Sequence, residues 1–156
     1  IGAEAFVERA KTADVDGIIT VDYPPEECMQ FTKLLKEKNI DSIFLLSPTS
    51  ELNRVKLIIE QASGFLYYVS LKGVTGAANI DIEQVKSKVG MIRKLTDLPI
   101  GVGFGVRDAA TAKEVAKISD AVVVGSRMVQ EIENSNQENL IQNISKLMQE
   151  LREAVN

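Results

Sequence analysis

Three glycine-containing segments directly follow apolar runs in this sequence, where they could bind an anion. They are KGVTG at 72–76, GFG at 103–105, and the pair Gly125 and Ser126. Glycine has no side chain, so its backbone can approach a ligand closely and direct N–H groups at it. A helix that begins at Ser126 would add positive partial charge at its N-terminus, which favours phosphate. One such segment would indicate an ordinary turn, but the three together predict a phosphate site.

The scarcity of histidine and cysteine excludes several kinds of catalytic and metal site. Histidine is absent and Cys28 is the single cysteine, which excludes histidine-based triads, His or Cys zinc sites and a disulfide framework. Cys28 precedes Phe31, Leu34 and Leu35 at helical spacing, so we expect it in the core. A lone cysteine favours the reducing cytoplasm. The sequence therefore predicts a cytoplasmic protein without a metal site.

Charge and hydropathy argue against two classes of partner. The chain has 18 basic and 22 acidic residues, a net charge of -4, which is not typical of a nucleic-acid or anionic-membrane surface. No apolar run approaches the roughly 18 residues of a membrane-spanning helix. We therefore expect neither nucleic acid nor a membrane as partner.

Short apolar runs alternate with amphipathic helical patterns along the chain, which is typical of successive βα units. Near-continuous apolar strands indicate a parallel sheet. Asp81 and Asp108 are predicted helix caps, Pro24 and Pro25 a helix start, and Thr49 or Ser50 another cap. A long helix is predicted over 137–155. The predicted strands are 17–22, 42–46, 65–70, 100–104 and 120–125.

Two architectures fit these five units. A (β/α)₈ barrel needs eight units and about 250 residues, whereas a doubly wound five-stranded sheet needs no further parts. Both place ligands at the carboxyl ends of strands, where the three glycine segments lie. A dinucleotide fingerprint fits poorly, because Gly101 and Gly103 are followed by Val106 at the third glycine position and no helix is predicted to begin there.

Other side chains near strand ends have two interpretations each. Tyr67 and Tyr68 are adjacent in a strand and must point to opposite faces, one of them towards the helices. Asp22 could act on a substrate or cap a helix, and Thr75 could bond its own loop or a partner carboxylate. Phe104, between two glycines, could form a wall for a planar substrate or fill the interior of the fold.

The segments GIITVDYPPEE, IFLLSPTS, YYVSLKGVTGAAN, PIGVGFGV and AVVVGSRMVQ, in this order, resemble the tryptophan synthase alpha chain family. The resemblance covers essentially all 156 residues. It implies a (β/α)₈ TIM barrel, of which residues 1–156 are the C-terminal part of a single domain, with five parallel units present and the first three absent. It also implies cleavage of indole-3-glycerol phosphate to indole and glyceraldehyde 3-phosphate. The implied partner is a β subunit in an α₂β₂ assembly; pyridoxal phosphate belongs to that subunit, and this chain carries no cofactor.

The resemblance also assigns roles to individual positions. Tyr67 falls at the family's active-site tyrosine, Thr75 on a loop that closes over substrate, and Asp22 near the surface that communicates with the β subunit. The family's two catalytic carboxylates are expected in the absent units, so we expect the chain alone to bind phosphate weakly and not to turn over. The positions implied for the substrate phosphate are Gly76, Gly105, Gly125 and Ser126, with Gly103 and Phe104 beside them.

Two alternatives remain open at this point. Another phosphate-binding barrel enzyme, such as a phosphosugar isomerase or a related synthase, would share the GFG and GS segments. A non-catalytic assembly module would bind its partner through strand ends and loops, without binding phosphate.

Overall fold

The computed structural model describes residues 1–21, 23–70, 81–103 and 105–156. Each strand begins within one residue of its predicted start, and the long C-terminal helix begins three residues later than predicted. The strands are β1 Gly17–Ile19, β2 Asp41–Leu46, β3 Leu66–Val69, β4 Ile100–Gly103 and β5 Ala121–Val123. The helices are α1 Ala3–Thr12, α2 Met29–Glu37, α3 Leu52–Gln61, α4 Ile82–Ile92, α5 Ala109–Ala116, α6 Ser126–Glu133 and α7 Leu140–Val155.

The order of the strands decides between the two architectures. The described sheet runs β1-β2-β3-β4-β5, and every neighbouring pair is parallel. A doubly wound sheet reverses its strand order at a switch point, and this sheet has no reversal among its described strands. The doubly wound alternative is therefore wrong, and the sheet is a segment of a barrel.

The main core lies between one face of the sheet and the helices. Leu66 and Tyr68 of β3 are fully buried there, and burial raises the pKa of Tyr68 to about 12. Because side chains alternate along a strand, Tyr67 lies on the opposite face. Cys28 is buried in the same core, which confirms its predicted place, and burial raises the pKa of its thiol. Helix residues that pack in this core include Val55, Ile58, Val85, Val89, Ile92, Ala112, Val115, Leu147 and Leu151.

The two predicted aspartate caps are confirmed. The Asp81 carboxylate accepts a hydrogen bond of 3.0 Å from the Gln84 N–H, and Asp108 accepts one of 2.7 Å from the Thr111 N–H. These bonds satisfy amide donors that the first turn of a helix leaves unpaired. The Thr111 N–H is also the main reason why the pKa of Asp108 lies below its usual value.

Two other predicted helix starts are wrong. Pro24 and Pro25 form a turn, in which the Glu27 N–H donates to the Pro24 carbonyl, and α2 begins only at Met29. The restriction on a residue that precedes proline keeps Pro24 out of a helix, and the turn that follows, with the Cys28 N–H donating to the Pro25 carbonyl, occupies the residues before α2.

The expected cap of α3 by Thr49 or Ser50 is also incorrect, since Glu51 occupies the cap position. The Ser50 hydroxyl instead accepts a 3.0 Å hydrogen bond from the Ser47 N–H within the preceding loop. A short polar side chain that bonds its own loop in this way competes with capping.

Asp120 joins β4 and β5 at the end of the sheet opposite the glycine segments. Its carboxylate accepts a 2.8 Å hydrogen bond from the Ile100 N–H and lies 3.0 Å from the Arg93 guanidinium. Burial by itself would raise the pKa of Asp120, but the Ile100 N–H and Arg93 outweigh it and hold the pKa below its usual value. The charged form of Asp120 therefore stabilises the fold.

We expect Asp120→Asn to lower the free energy of unfolding by about 1 kcal/mol at pH 7, a figure kept small because the side chain is 38% exposed. A lowered carboxyl pKa contributes stability above the unfolded pKa of about 4, and this stability is lost as the pH falls through the folded pKa. Urea unfolding at pH 7 and pH 3 measures the difference between parent and variant, which should shrink at pH 3. An equal difference at both pH values would contradict the role of the charge. The exposed Asp97→Asn is the control and should change little at either pH.

Candidate functional site

The carboxyl ends of β3, β4 and β5 bring two of the glycine segments to one edge of the sheet. Val69 pairs with Gly103, and Gly103 pairs with Val123, in continuous parallel register. GFG therefore begins beside the end of β5, two residues before Gly125. The sequence prediction that these two segments share an edge is confirmed, while the binding role of their residues stays a prediction.

Gly125 and Ser126 form the start of α6, as predicted. Gly125 occupies the cap position, and its carbonyl accepts hydrogen bonds from the Met128 and Val129 N–H groups at 2.9 and 3.2 Å. A β-carbon placed on Gly125 would meet no atom within 4 Å among the described residues. No described residue therefore covers the N-terminus of α6 at this position, and the amides of a first helical turn carry positive partial charge.

Gly105 follows β4 with a backbone φ of 81°. This is the left-handed region, which glycine adopts at no steric cost and other residues rarely adopt. The backbone conformation at position 105 therefore favours glycine whether or not a ligand binds there. This conformation also sets the direction of the chain after GFG.

Tyr67 lies directly over Gly103 on the face of the sheet away from the helices. A β-carbon on Gly103 would lie against the Tyr67 hydroxyl, 2.7 Å from Cζ and 3.0 Å from Cε1. Carbon atoms in contact normally lie about 3.5–4.0 Å apart, so only glycine leaves room for this ring. The sequence predicts Gly103 at an anion site, and the structure adds that Gly103 accommodates the predicted active-site tyrosine.

A similar contact between a glycine and an aromatic ring occurs two residues earlier along both chain segments. A β-carbon on Gly101 would lie 3.3 Å from Cε2 of Phe65, so both glycines of β4 lie under aromatic rings from β3 or the residue before it. Leu45 of β2 pairs with Tyr67 and shares this face. Phe65 and Leu45 are not among the predicted site residues, although strand alternation and pairing place both on the face of Tyr67.

Burial raises the pKa of the Tyr67 hydroxyl above its ordinary value. Tyr67 therefore stays a neutral phenol at neutral pH and can donate a hydrogen bond. It does not act as an anionic base under these conditions, so any role it has in the site is that of a neutral phenol.

Ser70, just beyond β3, is a second residue that sequence analysis missed. It is 6% exposed, and both its N–H and its hydroxyl donate to the Gly103 carbonyl, at 3.0 and 2.8 Å. No local pattern indicates such a contact, because a serine at a strand end is ordinary.

A cavity of about 230 Å³ opens near the carboxyl ends of β1, β2 and β3. Its lining comes from both faces of the sheet: Val69 and Leu45 lie on the tyrosine face, whereas Phe44, Leu46, Ile58 and Arg54 lie on the helix side, with Thr20, Val21 and Ser47 at the strand ends. The cavity places apolar and hydroxyl side chains beside the same edge as the glycine segments.

Four predicted site residues lie outside the described residues: Asp22, Thr75, Gly76 and Phe104. Within the described part of the chain, no group of three acidic or cysteine side chains is arranged to hold a metal ion. None of the described helices is long and apolar enough to cross a membrane.

The chain matches the family model for the tryptophan synthase alpha chain over residues 1–156. It is 56% identical over 155 residues to the tryptophan synthase alpha chain of Janthinobacterium sp. (strain Marseille), covering 99% of this chain and 58% of that protein. It is 50% identical to the alpha chain of Nitrosomonas europaea, with coverages of 99% and 56%. The chain thus spans a little over half the length of the curated relatives it matches.

Solved structures agree with these sequence relatives. The chain superposes on tryptophan synthase from M. tuberculosis in its aminoacrylate-bound form with a TM-score of 0.84 and 32% identity, covering 99% of this chain and 56% of that one. Tryptophan synthase subunit alpha from Legionella pneumophila str. Paris gives a TM-score of 0.84, 31% identity and coverages of 99% and 57%. Sequence, strand order and site geometry lead to one conclusion: this chain belongs to the tryptophan synthase alpha chain family.

Proposed function

We propose that this chain supplies the phosphate-binding part of a site that cleaves indole-3-glycerol phosphate to indole and glyceraldehyde 3-phosphate. The observation that carries the proposal is that Gly103, at the end of β4, lies beside the end of β5 and the N-terminus of α6 at one sheet edge, next to Tyr67. Backbone amides and a helix N-terminus are donors suited to a phosphate dianion. The apolar ring of Tyr67 is suited to the planar indole.

The reaction is a retro-aldol cleavage. A proton is delivered to indole C3, the bond from C3 to the glycerol carbon breaks, and the hydroxyl on that carbon loses its proton as it becomes the aldehyde. Carboxylates can perform both transfers. We propose that these carboxylates come from a part of the protein outside the 156 residues and that this chain holds the phosphate.

The proposed partner is a β subunit that contains pyridoxal phosphate and receives indole, in an α₂β₂ assembly in the cytoplasm. Family membership and the tryptophan synthase neighbours support this assignment. In this proposal Asp22 lies near the subunit boundary, Thr75 belongs to the closing loop, and Gly76 and Phe104 complete the phosphate site.

The test is indole release from indole-3-glycerol phosphate by the full-length protein, with and without β subunit. We expect release that becomes faster when β subunit is added, whereas the 156-residue chain alone should release none. No release by the full-length protein in the presence of β subunit would contradict the proposal. Phosphosugar isomerisation in its place would favour another barrel enzyme, and binding of β subunit without binding of phosphate would favour an assembly module.

A further inference from the structure

We propose that Ser70 is a positioning residue. It fixes the direction of the backbone that follows Gly103, so that the amides of this backbone can bind phosphate. This inference rests on the proposed function of the Gly103–Gly105 segment and adds to that segment a residue outside the glycines. It starts from one carbonyl that accepts two hydrogen bonds from one residue. The Gly103 oxygen accepts from the Ser70 N–H at 3.0 Å and from the Ser70 hydroxyl at 2.8 Å.

The two Ser70 hydrogen bonds lie where they can control the direction of the chain after Gly103. The β3–β4 ladder ends at the pair Val69 and Gly103, and Ser70 lies one residue beyond it. A single backbone hydrogen bond allows the peptide group to tilt, whereas a second donor on the same oxygen restricts that tilt. Since Gly105 has a φ of 81°, the chain changes direction within two residues of this anchored carbonyl.

The glycines cannot supply this restriction themselves. Glycine is the residue with the greatest backbone freedom, and Gly103 must be glycine because Tyr67 occupies the space of its side chain. Amides that bind an anion well are held in place before the ligand arrives. The Ser70 hydroxyl therefore offsets the flexibility that the Tyr67 contact imposes on this segment.

The second hydrogen bond is not required to satisfy the carbonyl. Without the hydroxyl, the Gly103 oxygen keeps its bond to the Ser70 N–H and is not left unpaired. A merely structural role predicts that Ser70→Ala changes the unfolding midpoint and leaves phosphate affinity alone. A positioning role predicts a selective loss of phosphate affinity.

We would measure dissociation constants for inorganic phosphate and KM and kcat for indole-3-glycerol phosphate, in the full-length protein with β subunit. Ser70→Ala should weaken phosphate binding and raise KM by about fivefold to tenfold, the value of one hydrogen bond, with a smaller change in kcat. Ser63→Ala is the matched control. Its hydroxyl accepts from the Ser42 N–H at 2.9 Å before the amino end of β3, so phosphate affinity should not change.

Threonine and valine at position 70 provide a second comparison, which holds even if the alanine variant folds poorly. The two side chains have nearly the same shape and differ in the hydroxyl. Ser70→Thr should bind phosphate at least about fivefold more tightly than Ser70→Val. Equal affinities for these two variants, or an unchanged affinity in Ser70→Ala, would overturn the inference.

The same measurements separate this inference from the proposed function. If the parent protein releases no indole but binds phosphate, and Ser70→Ala weakens that binding, the positioning role stands and the proposed reaction fails. If the parent releases indole and neither phosphate affinity nor KM depends on the hydroxyl at position 70, the reaction stands and the positioning role fails.

Discussion

Replacing Gly125 by aspartate should weaken phosphate binding by about a hundredfold or more while leaving the fold at least as stable as before. Gly125 caps α6, and aspartate is a better cap than glycine by a few tenths of a kcal/mol. Its φ of -110° lies outside the left-handed region, and a β-carbon there meets no described atom within 4 Å. The new side chain therefore fits, and its effect on the ligand is electrostatic.

The expected loss follows from the distance between two negative charges. A carboxylate about 5 Å from the bound phosphate costs about 3 kcal/mol for each negative charge of the phosphate at an effective dielectric constant of about 20, which is at least roughly a hundredfold in affinity. The carboxylate also takes amide donors at the helix N-terminus that the phosphate would use. Calorimetric titration with inorganic phosphate measures the loss of affinity, and urea unfolding measures the stability of the fold.

Gly125→Asn is the matched control, because asparagine caps a helix equally well without a charge. Phosphate affinity should fall much less in this variant than in Gly125→Asp. If the two variants bind phosphate equally weakly, steric exclusion and not charge is responsible. If Gly125→Asp binds like the parent, Gly125 does not lie at the phosphate site.

Replacing Gly103 by alanine should lower the free energy of unfolding by about 1–3 kcal/mol, the usual cost of forcing a methyl group into a packed site. The three nearest atoms are Oη, Cζ and Cε1 of Tyr67, which belong to one rigid ring end and cannot move separately. The ring must tilt away, and the tyrosine leaves its position beside the glycine segments. Because Tyr67 is then misplaced, we expect indole release by the full-length protein to fall by at least about tenfold.

A double-mutant cycle tests whether Tyr67 is the cause. Leucine at position 67 lacks all three of these atoms, so Gly103→Ala should cost much less in a Tyr67→Leu background. Gly90→Ala is the control: a β-carbon there meets no described atom within 4 Å, and alanine in this helix should stabilise the protein by up to about 1 kcal/mol. Additive effects of the Gly103 and Tyr67 substitutions would contradict the assignment.

Much of the local structure could be predicted from the sequence, because the determining interactions are local. Alternating apolar runs and helical patterns placed each strand start within one residue. Asp81 and Asp108 act on amides three residues away, so their spacing alone predicted both caps. The constraint that Pro25 places on Pro24 is also local and excludes Pro24 from a helix, but it does not predict that α2 begins only at Met29.

Three features required the tertiary structure. An apolar run does not specify which other run it pairs with, so the sequence pattern left both the barrel and the doubly wound sheet open, and the observed strand order decided between them. The packing of Tyr67 over Gly103 and the Ser70 hydrogen bonds join residues 33 or more positions apart. The sequence by itself determined which segments carry the glycines and on which strand ends they lie. Only the pairing of β3 with β4 decided what those glycines contact, because parallel register is set between strands and not within them.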